Sequence, residues 1–153
     1  MEAKEPKFLV DIMLGKLAKW LRVLGYDAVY IKHTSAPGMA TSSLTGRILL
    51  TRKKDAVGEI PDCILIRSER LDEQLRQLRE SGLTPDRTRW FTRCLNCNRL
   101  LQRADLEDAK DTVPDYVLYE NGSQIRFCPS CKRYYWPGSH RKKMVLKLVD
   151  LGF

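Results

Sequence analysis

No carboxylate occurs between Lys32 and Arg52, and no apolar run approaches the roughly 20 residues that a membrane-spanning helix needs. The second absence excludes a helical membrane span. The stretch MEAKEPKFLVD carries charges where a secretory signal requires an apolar core, which predicts a soluble, cytoplasmic protein with no membrane partner. No internal repeat or low-complexity tract is evident. A hydrophobic content of 43% excludes a wholly disordered chain, and 153 residues make one ordinary domain or two small ones. Acids are also outnumbered: 27 Lys and Arg against 19 Asp and Glu give a net charge of +8, with a pI near 9.4. A polyanion is therefore the first partner to consider, and RNA or a ribonucleoprotein is the expected one.

The first half alternates strand and helix signals. Lys7 to Val10 begins a strand that ends at Asp11, and Leu14, Leu17, Ala18, Leu21 and Leu24 recur at helical spacing, with Gly25 suited to the C′ position. Asp27 to Ile31, Arg47 to Thr51 and Cys63 to Arg67 are further strand candidates. Ser68 is placed to cap a helix whose face is Leu71, Leu75 and Leu78 and which Gly82 closes. Short strands separated by helix-length segments predict right-handed crossovers and a parallel sheet. Residues 32–46 are rich in Ser, Thr and Gly, so any crossover helix there is short or poorly formed. The stretch LTPDRT reads as a linker, dividing the chain into an α/β domain over 7–83 and a second domain over 89–153. Ser139 is expected to cap a last helix with Met144, Val145, Leu148 and Val149 on its apolar face. The basic run Arg141, Lys142 and Lys143 fills its first turn.

The second half carries two C-x-x-C knuckles, in RCLNCNRLL and RFCPSCKRYYW, about thirty residues apart. Each knuckle converges two thiolates, and two of them complete a tetrahedral site. Cys94, Cys97, Cys128 and Cys131 are therefore assigned as ligands of one structural Zn2+ per chain, in a zinc ribbon. Four thiolates leave no vacant position for water, which argues against catalytic zinc. An intracellular chain keeps its thiols reduced, and redox chemistry needs only one such pair. The fifth cysteine, Cys63 in CILI, reads as a small buried hydrophobe.

Asp11 follows a strand and precedes a helix, at the carboxyl end of the expected sheet, where open α/β folds bind ligands. A phosphodiester nuclease using Mg2+ or Mn2+ needs several carboxylates converging there. A single Asp at this position reads equally as the N-cap of the helix starting near Met13.

The motifs DIMLGKLAKWLRVLGYDAVY, GRILLTR, RCLNCNRLL and CPSCKRYYWPGSH, in that order from Phe8 to about Met144, resemble the Mut-seven C-terminal RNase-like family. The resemblance implies a three-layer PIN-like α/β domain with a parallel sheet, followed by a small four-cysteine zinc ribbon with a terminal helix. It implies Asp11 as the first catalytic acid and the four cysteines as zinc ligands. Two departures stand out. Family members usually carry acids after the second strand, where this chain reads KHTSAPG. They also usually have Asp directly after the LTR of the third strand, where this chain has Lys53. Asp55, and further on Glu59, are the nearest replacements. The expectation is that the Lys53 ammonium lies near Asp11, that Mg2+ or Mn2+ binds weakly, and that cleavage is weak or lost. An active Mg-dependent ribonuclease using Asp11 with a relocated Asp55 is the alternative. A DNA-binding zinc protein is a third reading, against which the chain shows no clear helix-turn-helix.

Candidate RNA contacts are Lys16, Lys19 and Arg22 on the polar face of the first helix, Lys53 and Lys54 after the third strand, and His140, Arg141, Lys142 and Lys143. Trp20, Tyr134, Tyr135 and Trp136 either stack on unpaired bases or build the small core a ribbon otherwise lacks, the second being expected for at least two of them.

Overall fold

The structure, a computed structural model, describes residues 5–31, 46–58 and 60–153. Residues 32–45 of the Ser/Thr-rich segment, and Glu59, lie outside the described residues. Four strands, β1 (Phe8–Val10), β2 (Ala28–Tyr30), β3 (Ile48–Thr51) and β4 (Cys63–Leu65), form a wholly parallel sheet in the order β2-β1-β3-β4. The two central strands, FLV and ILLT, are almost entirely buried, because helices cover both faces of such a sheet and leave no room for polar alternation. The chain leaves β1 toward one side for β2 and returns to the other side of β1 for β3. The crevice beyond the carboxyl ends of β1 and β3 is thus the switch point at which open α/β sheets place their sites.

Helix α1 (Gly15–Val23) buries Leu17, Ala18 and Leu21 in the core, and Leu14 just before it is buried as well. It ends as its sequence predicts. Gly25 sits at φ +94°, and a Cβ there would lie 2.5 Å from the Arg89 carbonyl oxygen. The Tyr26 N–H closes the turn on the Leu21 carbonyl. Helix α2 (Leu71–Glu80) buries Leu75 and Leu78. Ser68 is not its cap: the helix begins after Arg70, and the Ser68 hydroxyl instead accepts the Arg70 N–H and donates to Glu73. Cys63, on edge strand β4, is half-buried rather than enclosed, and desolvation raises its thiol pKa.

The second half contributes antiparallel strands β5 (Gln102–Arg103), β6 (Arg126–Phe127) and β7 (Tyr134–Tyr135). Between β5 and β6 lie two short helices, α3 (Leu106–Ala109) and α4 (Asp115–Asn121), too short for helical periodicity to declare. They enclose a small core of Ala109, Val113, Val117 and Ile125, against which Tyr134 and Trp136 pack. With Trp20, which packs on the main core, three of the four aromatics in question therefore serve as core.

The last helix, α5 (Ser139–Asp150), turns back onto the sheet domain: Met144 and Leu148, with Leu151 beyond it, join the core built on Phe8, Val10 and Leu50. Val149, expected on its apolar face, is 45% exposed, because the buried stripe narrows to Met144, Leu148 and Leu151. Ser139 is the first helical residue rather than the cap, which falls on Gly138 with no side-chain hydrogen bond. Among the described residues no helix is long and apolar enough to cross a membrane.

Candidate metal centre and nucleic-acid surface

The two knuckles repeat one backbone design. In the first, the Cys94 N–H donates to the Arg99 carbonyl and the Asn98 N–H donates back to the Cys94 carbonyl, with Asn98 at φ +66°. In the second, the Cys128 N–H donates to Arg133 and the Lys132 N–H to Cys128, with Lys132 at φ +65°. Each reversal turns two sulfurs inward, and the four ligand atoms lie within 4.8 Å of one another. The Cys94 and Cys131 sulfurs are 3.6 Å apart. Zinc–sulfur bonds of about 2.3 Å at tetrahedral angles require sulfurs roughly 3.8 Å apart, so the cluster fits a four-coordinate metal.

The surroundings act oppositely on Cys94 and Cys131. Burial would push the Cys94 thiol up, but the Tyr135 hydroxyl, 3.2 Å away, and the backbone N–H groups of Cys97 and Asn96 outweigh it and draw the thiol down to about 7. Cys131 is pushed up to about 12, by burial and by the hydrogen bonds it shares with the other three thiols.

Arg22 is drawn into this centre. The sequence puts it with Lys16 and Lys19 on a polar helix face, yet it is only 9% exposed. Its Nε donates to the Ala28 carbonyl at 3.0 Å, and its Nη1 reaches the carbonyls of Leu95 at 2.9 Å and Asn96 at 3.3 Å, inside the first knuckle. Burial lowers its pKa, opposed by the Cys94 and Cys97 sulfurs beside it. The same knuckle grips the sheet through Asn98, whose Oδ1 accepts the Ala28 N–H and whose Nδ2 donates to Asp27 at 2.7 Å. Asp27 in turn receives both arms of Arg47, at 2.8 and 3.1 Å.

Asp11 stands at the other edge of the sheet. It is completely buried, and each carboxylate oxygen is engaged: Oδ1 accepts the Ile12 N–H at 2.6 Å and Oδ2 accepts the Thr51 hydroxyl at 2.7 Å. Thr51 accepts the Lys53 N–H at 3.1 Å, which leaves its one proton for Asp11. Asp11 is thus the cap of the 3-10 turn over Ile12–Leu14, as well as the acid at the end of β1. Among the described residues the four cysteines are the only group of three or more His, Cys, Asp or Glu side chains close enough to share a metal, and Asp11 belongs to no such group. Lys53, Lys54 and Asp55 are all exposed, the last two on a 3-10 turn over Lys54–Ala56.

A groove of about 670 Å³ opens beside the turn that follows Asp11, lined by Lys16, Tyr30, Glu69 and Asp72. Glu69 and Asp72 follow β4 at the same sheet edge, and sequence reasoning passes over them. Acids shortly after a strand were the available signal. Asp72 is committed to Lys147 at 2.8 Å, whereas Glu69 is 88% exposed and lies 3.9 Å from Arg52.

The basic candidates disperse over three surfaces. Lys16 lines the groove just described, Lys19 lines a cleft of about 810 Å³ at the ribbon, and Arg22 is internal. The basic run of α5 divides likewise: His140, Arg141 and Lys142 face the ribbon cleft, and Lys143 lines a groove with Asp72 and Asp150.

The sequence model of a family described as the Mut7-C RNAse domain matches residues 6–148. No curated protein and no solved structure gives a significant match.

Proposed function

Since the chain belongs to the Mut7-C RNAse domain family, we propose that it is a zinc-ribbon protein that binds RNA and cleaves it weakly or not at all. The observation that carries this reading is the state of Asp11: fully buried, with a donor on each oxygen, and joined by no carboxylate cluster among the described residues. A Mg2+ ion keeps an octahedral oxygen shell and surrenders water reluctantly, so one enclosed carboxylate is a poor site for it. Departures in the sequence point the same way, because Lys53 and the acid-free stretch from Lys32 to Arg52 replace the acids expected there.

The four cysteines fit Zn2+, and Cys94, Cys97, Cys128 and Cys131 would hold it. With four thiolates such an ion has no open position, so its contribution is structural. A tetrathiolate centre carries two net negative charges, and the buried Arg22 guanidinium beside it offsets part of that charge. RNA is the polyanion that the +8 charge and the family both favour.

A second reading keeps cleavage, with Asp55 as the relocated acid, and the exposed Glu69 in the groove beside residues 12–17 gives it a specific candidate. The test is an assay on single-stranded RNA in Mg2+ or Mn2+ with wild type, Asp11→Asn, Asp55→Asn and Glu69→Gln. Inactivity of all four with RNA binding intact supports the non-cutting reading. Strong wild-type cleavage, lost on replacing Asp11 and either other acid, overturns it.

A further inference from the structure

The first knuckle is tied to Ala28, where β2 begins, and to the end of α1, where the Arg93 Nε donates to the Gly25 carbonyl. Asp11 and Thr51 stand at the opposite ends of their strands. Since all four strands are parallel, the ribbon is docked at the amino-terminal edge of the sheet and the acid lies at the carboxyl-terminal edge. Three to four residues of strand put roughly 10 Å between those edges.

The larger cleft belongs to the ribbon edge. Its walls come from the first knuckle, α4, β7 and the start of α5, with Lys19 reaching in from α1. It is lined by Lys19, Arg126, Arg133, Arg141 and Lys142, against one carboxylate, Glu120. Among the described residues none of these five cations has an ion pair. Arg141 is half-buried, with its guanidinium 4.5 Å from the centre of the Phe91 ring. Its pKa is lowered, first by desolvation and then by the like charge of Arg126. The first turn of α5 holds no acid and two cations, Arg141 and Lys142, against the helix dipole, which favours negative charge there. Like charges gathered on one cleft, with Arg141 half-buried among them and two of them at the wrong end of a helix, are destabilising until an anion reaches them. Tyr116, 66% exposed, stands on α4 at the same cleft and offers a ring face.

We infer that this cleft, rather than the Asp11 edge, is the principal RNA site, and that it takes a short run of single-stranded RNA. Arg126, Arg133, Arg141 and Lys142 contact phosphates, and Tyr116 stacks on an unpaired base. The inference rests on the proposed RNA-binding function. It gives that function a location remote from the acid, so RNA can be held without being presented for cleavage.

The test uses the full-length zinc-loaded protein and a labelled oligouridylate, with affinity measured by fluorescence anisotropy over a salt series. Arg133→Glu with Lys142→Glu is expected to weaken binding at least tenfold. It should also flatten the slope of log affinity against log salt by about 1.4, at roughly 0.7 for each phosphate of a single strand that is no longer neutralised. Tyr116→Ala should weaken binding while leaving the slope unchanged, which is the signature of stacking. Arg67→Glu with Arg76→Glu, an equal change of charge at a separate groove, should weaken binding much less. Wild-type binding that survives the cleft pair, or falls equally with the control pair, overturns the location alone. Equal affinity for duplex RNA together with no effect of Tyr116→Ala reduces the cleft to a general anion surface and overturns the single-strand assignment. A wild type that binds no RNA overturns the proposed function itself.

Discussion

The guanidinium of Arg22 donates to the carbonyl oxygen of Leu95 at 2.9 Å across 73 residues of chain, and so fastens the end of α1 to the first metal knuckle. Lysine cannot reproduce these bonds, because its point-like ammonium lacks the fixed fork that reaches Ala28, Leu95 and Asn96 at once. Removing a charge-assisted hydrogen bond costs about 1.5–3 kcal/mol. Arg22→Lys should therefore lower unfolding free energy in urea by about 3 kcal/mol. Its effect on RNA affinity at a temperature where the variant is folded should be small. A stable variant with greatly weakened RNA binding would return Arg22 to the binding surface.

Removal of the metal should be felt on both sides of that bond. Structural zinc contributes about 10–16 kcal/mol in isolated zinc-finger peptides, comparable with or above the roughly 5–15 kcal/mol that holds whole domains together. The knuckles should lose their order without it. Chelation should expose the amides of Cys94, Asn98, Cys128 and Lys132 to hydrogen exchange. The sheet should remain folded but melt at lower temperature, since Arg22 loses its carbonyl partners. Metal analysis of the untreated protein should give one zinc per chain. Paired disulfides and no zinc would refute the assignment.

Thr51→Val keeps the shape of the side chain and removes the hydroxyl that serves Asp11 and the Lys53 N–H. A buried carboxylate losing a donor should cost about 1.5–3 kcal/mol. Asp11→Asn should partly relieve that penalty, so the double variant should be less destabilised than the two single effects added together. Additive losses would show that the two residues do not act as a pair.

Restoring an acid tests the edge directly. Lys53→Asp should raise Mn2+ affinity, read as a larger metal-induced rise in Tm than wild type gives. The missing acids between Lys32 and Arg52 should still keep cleavage low. Strong Mn2+ stabilisation of the wild type would contradict the poor fit of the present site.

Asp27 supplies the pH dependence. Desolvation acts to raise its pKa, but hydrogen bonds from Arg47 and Asn98 outweigh it, and the folded value falls below the ordinary 3.8. Its contribution to stability is therefore fully present above about pH 4 and is lost as the pH falls through the depressed folded value. Asp27→Asn should be clearly less stable than wild type at neutral pH. The gap should narrow in acid below that window, measured by urea unfolding across the range. A gap that stayed constant would assign the loss to geometry rather than charge.

The four strands of the parallel sheet, both glycine-closed helices and the cysteine quartet were legible because each rests on local rules: apolar runs, helical spacing, a left-handed turn and ligand spacing. What was missed depends on distant partners. Arg22 shares its helical spacing with Lys16 and Lys19, and only the carbonyls of Leu95 and Asn96 turn it inward. Helices α3 and α4 are too short for periodicity to declare, although Asp105 as cap, accepting the Glu107 and Asp108 N–H groups, was a readable sign. The division of Arg141, Lys142 and Lys143 between two surfaces follows from a helical advance of about 100° per residue. A basic run on a helix is seldom one patch. Asp11 was read both as acid and as cap, and the Ile12 N–H on its Oδ1 fits the cap.

The two knuckles, alike as metal clamps, differ in what substitution they will tolerate. Asn98 and Lys132 occupy matching left-handed positions, where glycine relieves backbone strain. At Lys132, whose exposed side chain places its ammonium 5.6 Å from the centre of the Phe127 ring, glycine should be neutral or mildly beneficial. At Asn98 the same exchange strips Ala28 and Asp27 of their partners. A saturation mutagenesis profile should therefore be permissive at 132 and narrow at 98, and that asymmetry would mark which half of a near-symmetric ribbon is welded to the sheet.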